Sequence, residues 1–154
     1  MRIYYLDASA FAKHYLHEPG SHWVNESLKQ AAQDRFVSTE LIGVEVVCAI
    51  ARAEREKRID LALRNNLVAR AIEETRSVLQ LTETSRQILG LASQLALRHA
   101  LRAFDAIHLA TALRILSETL MLGLPAPIFV SADGNLLTAA CAEGLVVENP
   151  NAHE

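Results

Sequence analysis

Five short apolar runs, separated by helical stretches, constrain this chain more than any other feature. "IYYL" (3–6), "RFVST" (35–39), "SVLQLT" (77–82), "PIFVSA" (127–132) and "LVVEN" (145–149) each read as a short strand. They are rich in β-branched or aromatic residues and too short for helices. Between them the spacing changes. Residues 9–16 read as a helix, and "EPGS" (18–21) breaks it and starts another through Trp23, Val24 and Leu28. "ELIGVEVVCAIARAEREKR" (40–58) is a long helix with a basic end, and Asp60 caps the next, which runs to about Thr75. A further helix spans 85–99. "RAFDAIHLATALRILSETL" (102–120) carries an apolar stripe of Ile107, Ala110, Leu113 and Leu116, and "DGNLLTAACAEG" (133–144) is a helix closed by Gly144.

Strands that alternate with helices make βαβ units. The expected fold is therefore α/β: three layers, α/β/α, around a mostly parallel sheet of about five strands. At 154 residues, with no repeat, low-complexity tract or long linker, the chain reads as one domain over 1–150 and a short tail over 151–154.

Composition narrows the class. No run of about 20 apolar residues exists, so no membrane span is expected. The N-terminus enters a strand pattern at once, without a basic stretch and a long apolar one behind it, so a cytoplasmic location is expected. Cys48 and Cys141 lie in apolar helical surroundings without C-x-x-C spacing, and are expected reduced in the core rather than on zinc. A formal net charge of −3 argues against coating nucleic acid through bulk basicity.

Acids at particular places suggest chemistry. Asp7 ends the first strand and Asp133 follows the fourth, at the carboxyl edge where such sheets bind ligands. Taken singly, each also reads as a helix cap or turn residue. Glu45 shares its helical face with Leu41, Cys48 and Ala49. A carboxylate in such company needs a partner, Arg52 or another arginine, or a metal. Asp105 opens the helix "FDAIHLATAL", where a first-turn acid is ordinary. If the four converge, two carboxylates ~4 Å apart repel by about 4 kcal/mol at an effective dielectric near 20. Either pKa values rise or divalent cations enter. Oxygen-only ligands favour Mg2+ or Mn2+, which suit phosphodiester hydrolysis. His14, His17 and His22 read as surface or dimer-contact residues. His108, three residues after Asp105, reads as a packed structural residue or as a hydrogen-bond partner of a ligand carboxylate.

"YLDASAFAKHYLHEPGS", "VSTELIGVEVVCAIAR", "RAFDAIHLATAL" and "IFVSADGNLLTAACAEGLVV" together resemble the four motif blocks of PIN-domain proteins, most closely VapC-type toxins of toxin–antitoxin pairs. The resemblance implies a Mg2+- or Mn2+-dependent endoribonuclease with Asp7, Glu45, Asp105 and Asp133 as its acidic metal and catalytic set. Ser9 and Ser131 fall where the family places supporting hydroxyls; at the second it often has Thr. The resemblance also implies an RNA substrate, a cognate antitoxin and a homodimer, for which residues 23–28 and 61–72 offer apolar helix faces. Arg52, Arg55, Lys57 and Arg58, with Arg98, Arg102 and Lys13, are candidates for a rim that meets phosphates. Two competitors remain. A phosphatase with Asp7 as nucleophile would want a second Asp where Ser9 stands, and a lysine after Lys57 that the chain lacks. A PIN-like module that binds RNA or protein without cutting would ordinarily have lost some of the four acids.

Overall fold

The computed structural model describes residues 1–153. Its strands are β1 (Ile3–Leu6), β2 (Arg35–Thr39), β3 (Gln80–Thr82), β4 (Ile128–Val130) and β5 (Val146–Glu148). They form one sheet in the order β3-β2-β1-β4-β5, and every neighbouring pair is parallel. The helices are α1 (Ala8–Phe11), α2 (Ser21–Leu28), α3 (Ile42–Arg55), α4 (Leu61–Val78), α5 (Arg86–His99), α6 (Ala103–Met121) and α7 (Gly134–Ala142).

Strand alternation divides the interior in two. Ile3 and Tyr5 of β1, with Val37 and Phe129, pack against α5, α6 and α7. Tyr4 and Leu6, with Phe36 and Val130, pack against α1, α3 and α4. All four residues of β1 are therefore buried, as a central parallel strand requires. The three-layer α/β/α fold read from the sequence is the one observed.

The sheet also has a switch point. After β1 the chain leaves into α1 on one face; after the adjacent β4 it leaves into α7 on the other. Diverging connections open a crevice beyond the carboxyl ends of these two strands. Asp7 and Asp133 stand at its two sides.

Several sequence expectations need correction. Residues 9–16 are not one helix: α1 has four residues and gives way to a 3-10 turn at Ala12–His14. The third strand is shorter than expected, because α4 continues to Val78 and only Gln80–Thr82 pairs with β2. Of the stripe on α6 only Ala110 is fully buried. Ala106, His108 to Ala112, and Ile115 are buried, while Ile107, Leu113 and Leu116 are only partly so, since α6 touches the sheet, α5 and α7 together. Cys48 and Cys141 are exposed. The reason for Cys48 is helical phase: α3 buries Ile42, Val46, Ile50 and Ala53, and a residue two beyond Val46 sits about 200° around the helix.

Residues Pro150–Ala152 form a 3-10 turn against the start of α2. Gly20 makes this possible. Its φ is +82°, and a Cβ there would lie 2.4 Å from the Pro150 carbonyl oxygen.

Candidate acidic site at the sheet edge

Each acid owes its position to a helix start. Asp7 caps α1 and Asp133 caps α7, while Glu45 and Asp105 lie in the first turns of α3 and α6. The positive ends of α3, α6 and α7 favour carboxylates there. All four side chains line one cleft of about 730 Å³, together with Lys13, Arg52, Arg58, Arg102, Phe104 and His108.

Asp7 is the most enclosed, 4% exposed. Its Oδ1 accepts from the Ala10 N–H at 2.8 Å and from the Ser9 hydroxyl at 2.8 Å. The Ser131 hydroxyl donates to Oδ2 at 2.7 Å, and Ser9 also lies 2.9 Å from that oxygen. Both serines are held in turn. Ser9 Oγ accepts the Ala132 N–H at 2.8 Å, and Ser131 Oγ accepts the Asp133 N–H at 3.0 Å. These hydroxyls thus fasten the β1 end to the β4 end. Burial raises the Asp7 pKa above the ordinary carboxyl range, and His108, the Ser131 hydroxyl, the Ala10 N–H and Ser9 offset part of that rise.

Glu45 has a different partner from the arginine expected for it. His108 Nε2 lies 2.7 Å from Glu45 Oε2, and the Tyr5 hydroxyl lies 2.9 Å from His108 Nδ1. His108 is 2% exposed and Tyr5 fully buried. Sequence reading anticipated a carboxylate contact for His108 as one of two options. It missed Tyr5 altogether: a tyrosine inside a buried strand gives no signal that its hydroxyl needs a partner from α6.

Arg102 spans the remaining pair. Its Nε donates to Asp105 Oδ2 at 3.0 Å, and its Nη2 lies 3.5 Å from Asp133 Oδ2. Those acids raise the Arg102 pKa, the Asp105 hydrogen bond most of all. The Asp133 Oδ1 is occupied by the N–H groups of Asn135 and Leu136 at 2.9 and 3.1 Å. Of the other candidate rim cations, Lys13, Arg52 and Arg58 line the cleft, whereas Arg98 turns to Glu143 at 2.6 Å. His14 is tied to Asn25 and Glu74.

As a donor set the four acids fit a hard divalent cation: they offer only oxygen, and one is already desolvated and braced by hydroxyls. Among the described residues no three His, Cys, Asp or Glu side chains lie close enough together to share an ion. Asp105 and Asp133 instead share the Arg102 guanidinium, a cation supplied by the chain itself.

Fold and cleft define a class: a doubly wound α/β domain with an acidic crevice at its switch point. The sequence profile of the PIN domain matches residues 4–121, and the chain belongs to that family. No curated protein sequence matches significantly. Similar solved structures include PAE2754 from Pyrobaculum aerophilum, 20% identical with a TM-score of 0.60, covering 96% of this chain and 92% of that one. FitAcB from Neisseria gonorrhoeae is 16% identical with a TM-score of 0.62, covering 99% of both chains. VapBC2 from Rickettsia felis, bound to a DNA fragment from its promoter, is 13% identical with a TM-score of 0.60, covering 96% of this chain and 98% of that one.

Proposed function

We propose that this protein is a Mg2+- or Mn2+-dependent endoribonuclease, the toxin of a toxin–antitoxin pair, with Asp7, Glu45, Asp105 and Asp133 as its metal-holding acids. The observation that carries this reading is their meeting on one cleft at the switch point of a PIN domain. When bound, the ion supplies Lewis-acid stabilisation of phosphoryl charge and a nucleophilic water. The protein's own residues prepare for it. Ser9 and Ser131 fix the Asp7 carboxylate, and Arg102 must leave the Oδ2 atoms of Asp105 and Asp133 before those oxygens can serve a metal. Once released, Arg102 is free to meet a phosphate of the RNA.

VapBC2 and FitAcB as fold neighbours support a protein partner, read here as a small antitoxin that covers the cleft. Leu61 and Ile72, exposed on α4, suit a homodimer contact. No described helix is long and apolar enough to cross a membrane, and the reading places the protein in the cytoplasm.

The test is cleavage of total cellular RNA by the purified chain, with Mn2+ or EDTA, beside Asp105→Asn at equal concentration. Discrete cutting that needs Mn2+ and disappears in the variant is expected. Identical traces from both proteins, together with no carboxylate-dependent Mn2+ binding, would replace the nuclease with a non-catalytic binding module.

A further inference from the structure

We infer that His108, itself held by Tyr5, is a positioning residue that orients the Glu45 carboxylate for cation binding. This rests on the functional reading above and adds residues that the acidic set does not contain.

An ionised Glu45 can only accept, so the short contact from His108 Nε2 to Oε2 requires the hydrogen on Nε2. In a neutral imidazole, Nδ1 is then an acceptor, and the Tyr5 hydroxyl is placed to donate to it at 2.9 Å. Glu45 thereby fixes the tautomer, and Tyr5 fits it by holding the ring at the nitrogen that remains. The chain of bonds runs from β1 through α6 to α3, joining residues 103 and 63 positions apart in sequence.

The four acids are restrained unequally. Asp7 is braced at both oxygens, and Asp105 and Asp133 share the exposed Arg102. Glu45 alone is held by a buried imidazole. That ring takes only Oε2; Oε1 receives no hydrogen bond among the described residues and remains available to a ligand. A glutamate has three side-chain torsions, whose freedom must be lost on ligation. Fixing them beforehand lowers the cost of binding, as partners behind metal ligands commonly do.

Asparagine and glutamine at position 108 separate this role from packing. The asparagine amide ends near where Nδ1 stands and keeps only the Tyr5 side of the chain. The glutamine amide reaches the level of Nε2 and keeps a donor for Glu45. Mn2+ affinity of the full chain would be measured from the free-ion electron paramagnetic resonance signal, for wild type, Asp105→Asn, His108→Asn, His108→Gln and Tyr5→Phe. Metal-free melting curves would accompany each. His108→Asn is expected to bind Mn2+ roughly tenfold more weakly than wild type, while His108→Gln stays close to it. Tyr5→Phe should fall between the two, since its imidazole keeps the Glu45 bond but loses the one that holds the ring in place. Equal affinity in the Asn and Gln variants would overturn the inference. If wild type and Asp105→Asn bind Mn2+ alike, the metal-nuclease reading itself fails, a result distinct from the first.

Discussion

At the scale of single residues, Asp7 carries the sharpest conflict in the molecule. Burial raises its carboxyl pKa, so the folded chain holds that proton more tightly than the unfolded chain does. Between the ordinary carboxyl value and the raised one, the native state binds more protons. Stability therefore falls as pH rises through that window, and the full cost persists above it. Asp7→Asn escapes this cost, and asparagine caps a helix as well as aspartate. The metal-free variant should melt roughly 2–4 °C higher than wild type at neutral pH, the shift that about 1 kcal/mol produces in a domain of this size. Added Mn2+ should stabilise wild type and leave the variant unmoved. Superimposable melting profiles across pH would show that the carboxylate carries no such cost. Residue type was legible for all four acids: strand ends and a helix start mark Asp7, Asp133 and Asp105, and apolar company marks Glu45, whose first-turn place follows only from α3 beginning at Ile42. Their partners were not. Glu45 advertised a need for compensation, but the compensating His108 lies 63 positions away, and only the packing of α6 against β1 brings it near.

At the scale of elements, the sequence showed which segments alternate but not where each one stops. A helix that has begun continues until a residue or a packing demand ends it, which is why α4 absorbed Ser77 and Val78 from the strand expected there. The turn before α2 shows how local conformation and distant packing fix one boundary together. Gly20 occupies the left-handed region, and the Pro150 carbonyl occupies the space a side chain would need. Gly20→Ala thus incurs a conformational cost of about 1–2 kcal/mol and an overlap with backbone of another 1–3 kcal/mol. The C-terminal turn should yield before the sheet does. Trp23, the chain's single tryptophan, reports on it, because the His153 ring stacks on the indole at 4.9 Å. The variant should show altered tryptophan emission at temperatures well below its lowered melting point. Emission that changes only at the global transition would mean that the turn and the core unfold as one unit.

At the scale of the whole molecule, and on the nuclease reading, a chain of net charge −3 must meet RNA through local features. The sequence showed a basic helix end but not which charges are already engaged. Glu18 takes both Lys13 and Arg58, at 3.5 and 3.0 Å, and Arg102 is held by Asp105. Arg52, by contrast, lines the cleft and forms no ion pair among the described residues. An unpaired arginine on the rim can neutralise a phosphate without first breaking a contact, whereas Arg58 must leave Glu18. If the nuclease reading holds, the two should respond differently to removal. Arg52→Ala should raise KM for single-stranded RNA several-fold with kcat unchanged, the pattern of lost uniform binding. It should also flatten the dependence of log KM on log salt by about 0.7, the contribution of one phosphate contact on a single strand. Arg58→Ala should change both quantities less, because its charge is already spent within the protein and its loss frees Lys13 of a competitor for Glu18. Matching salt slopes for wild type and Arg52→Ala would put the RNA backbone somewhere other than this wall of the cleft.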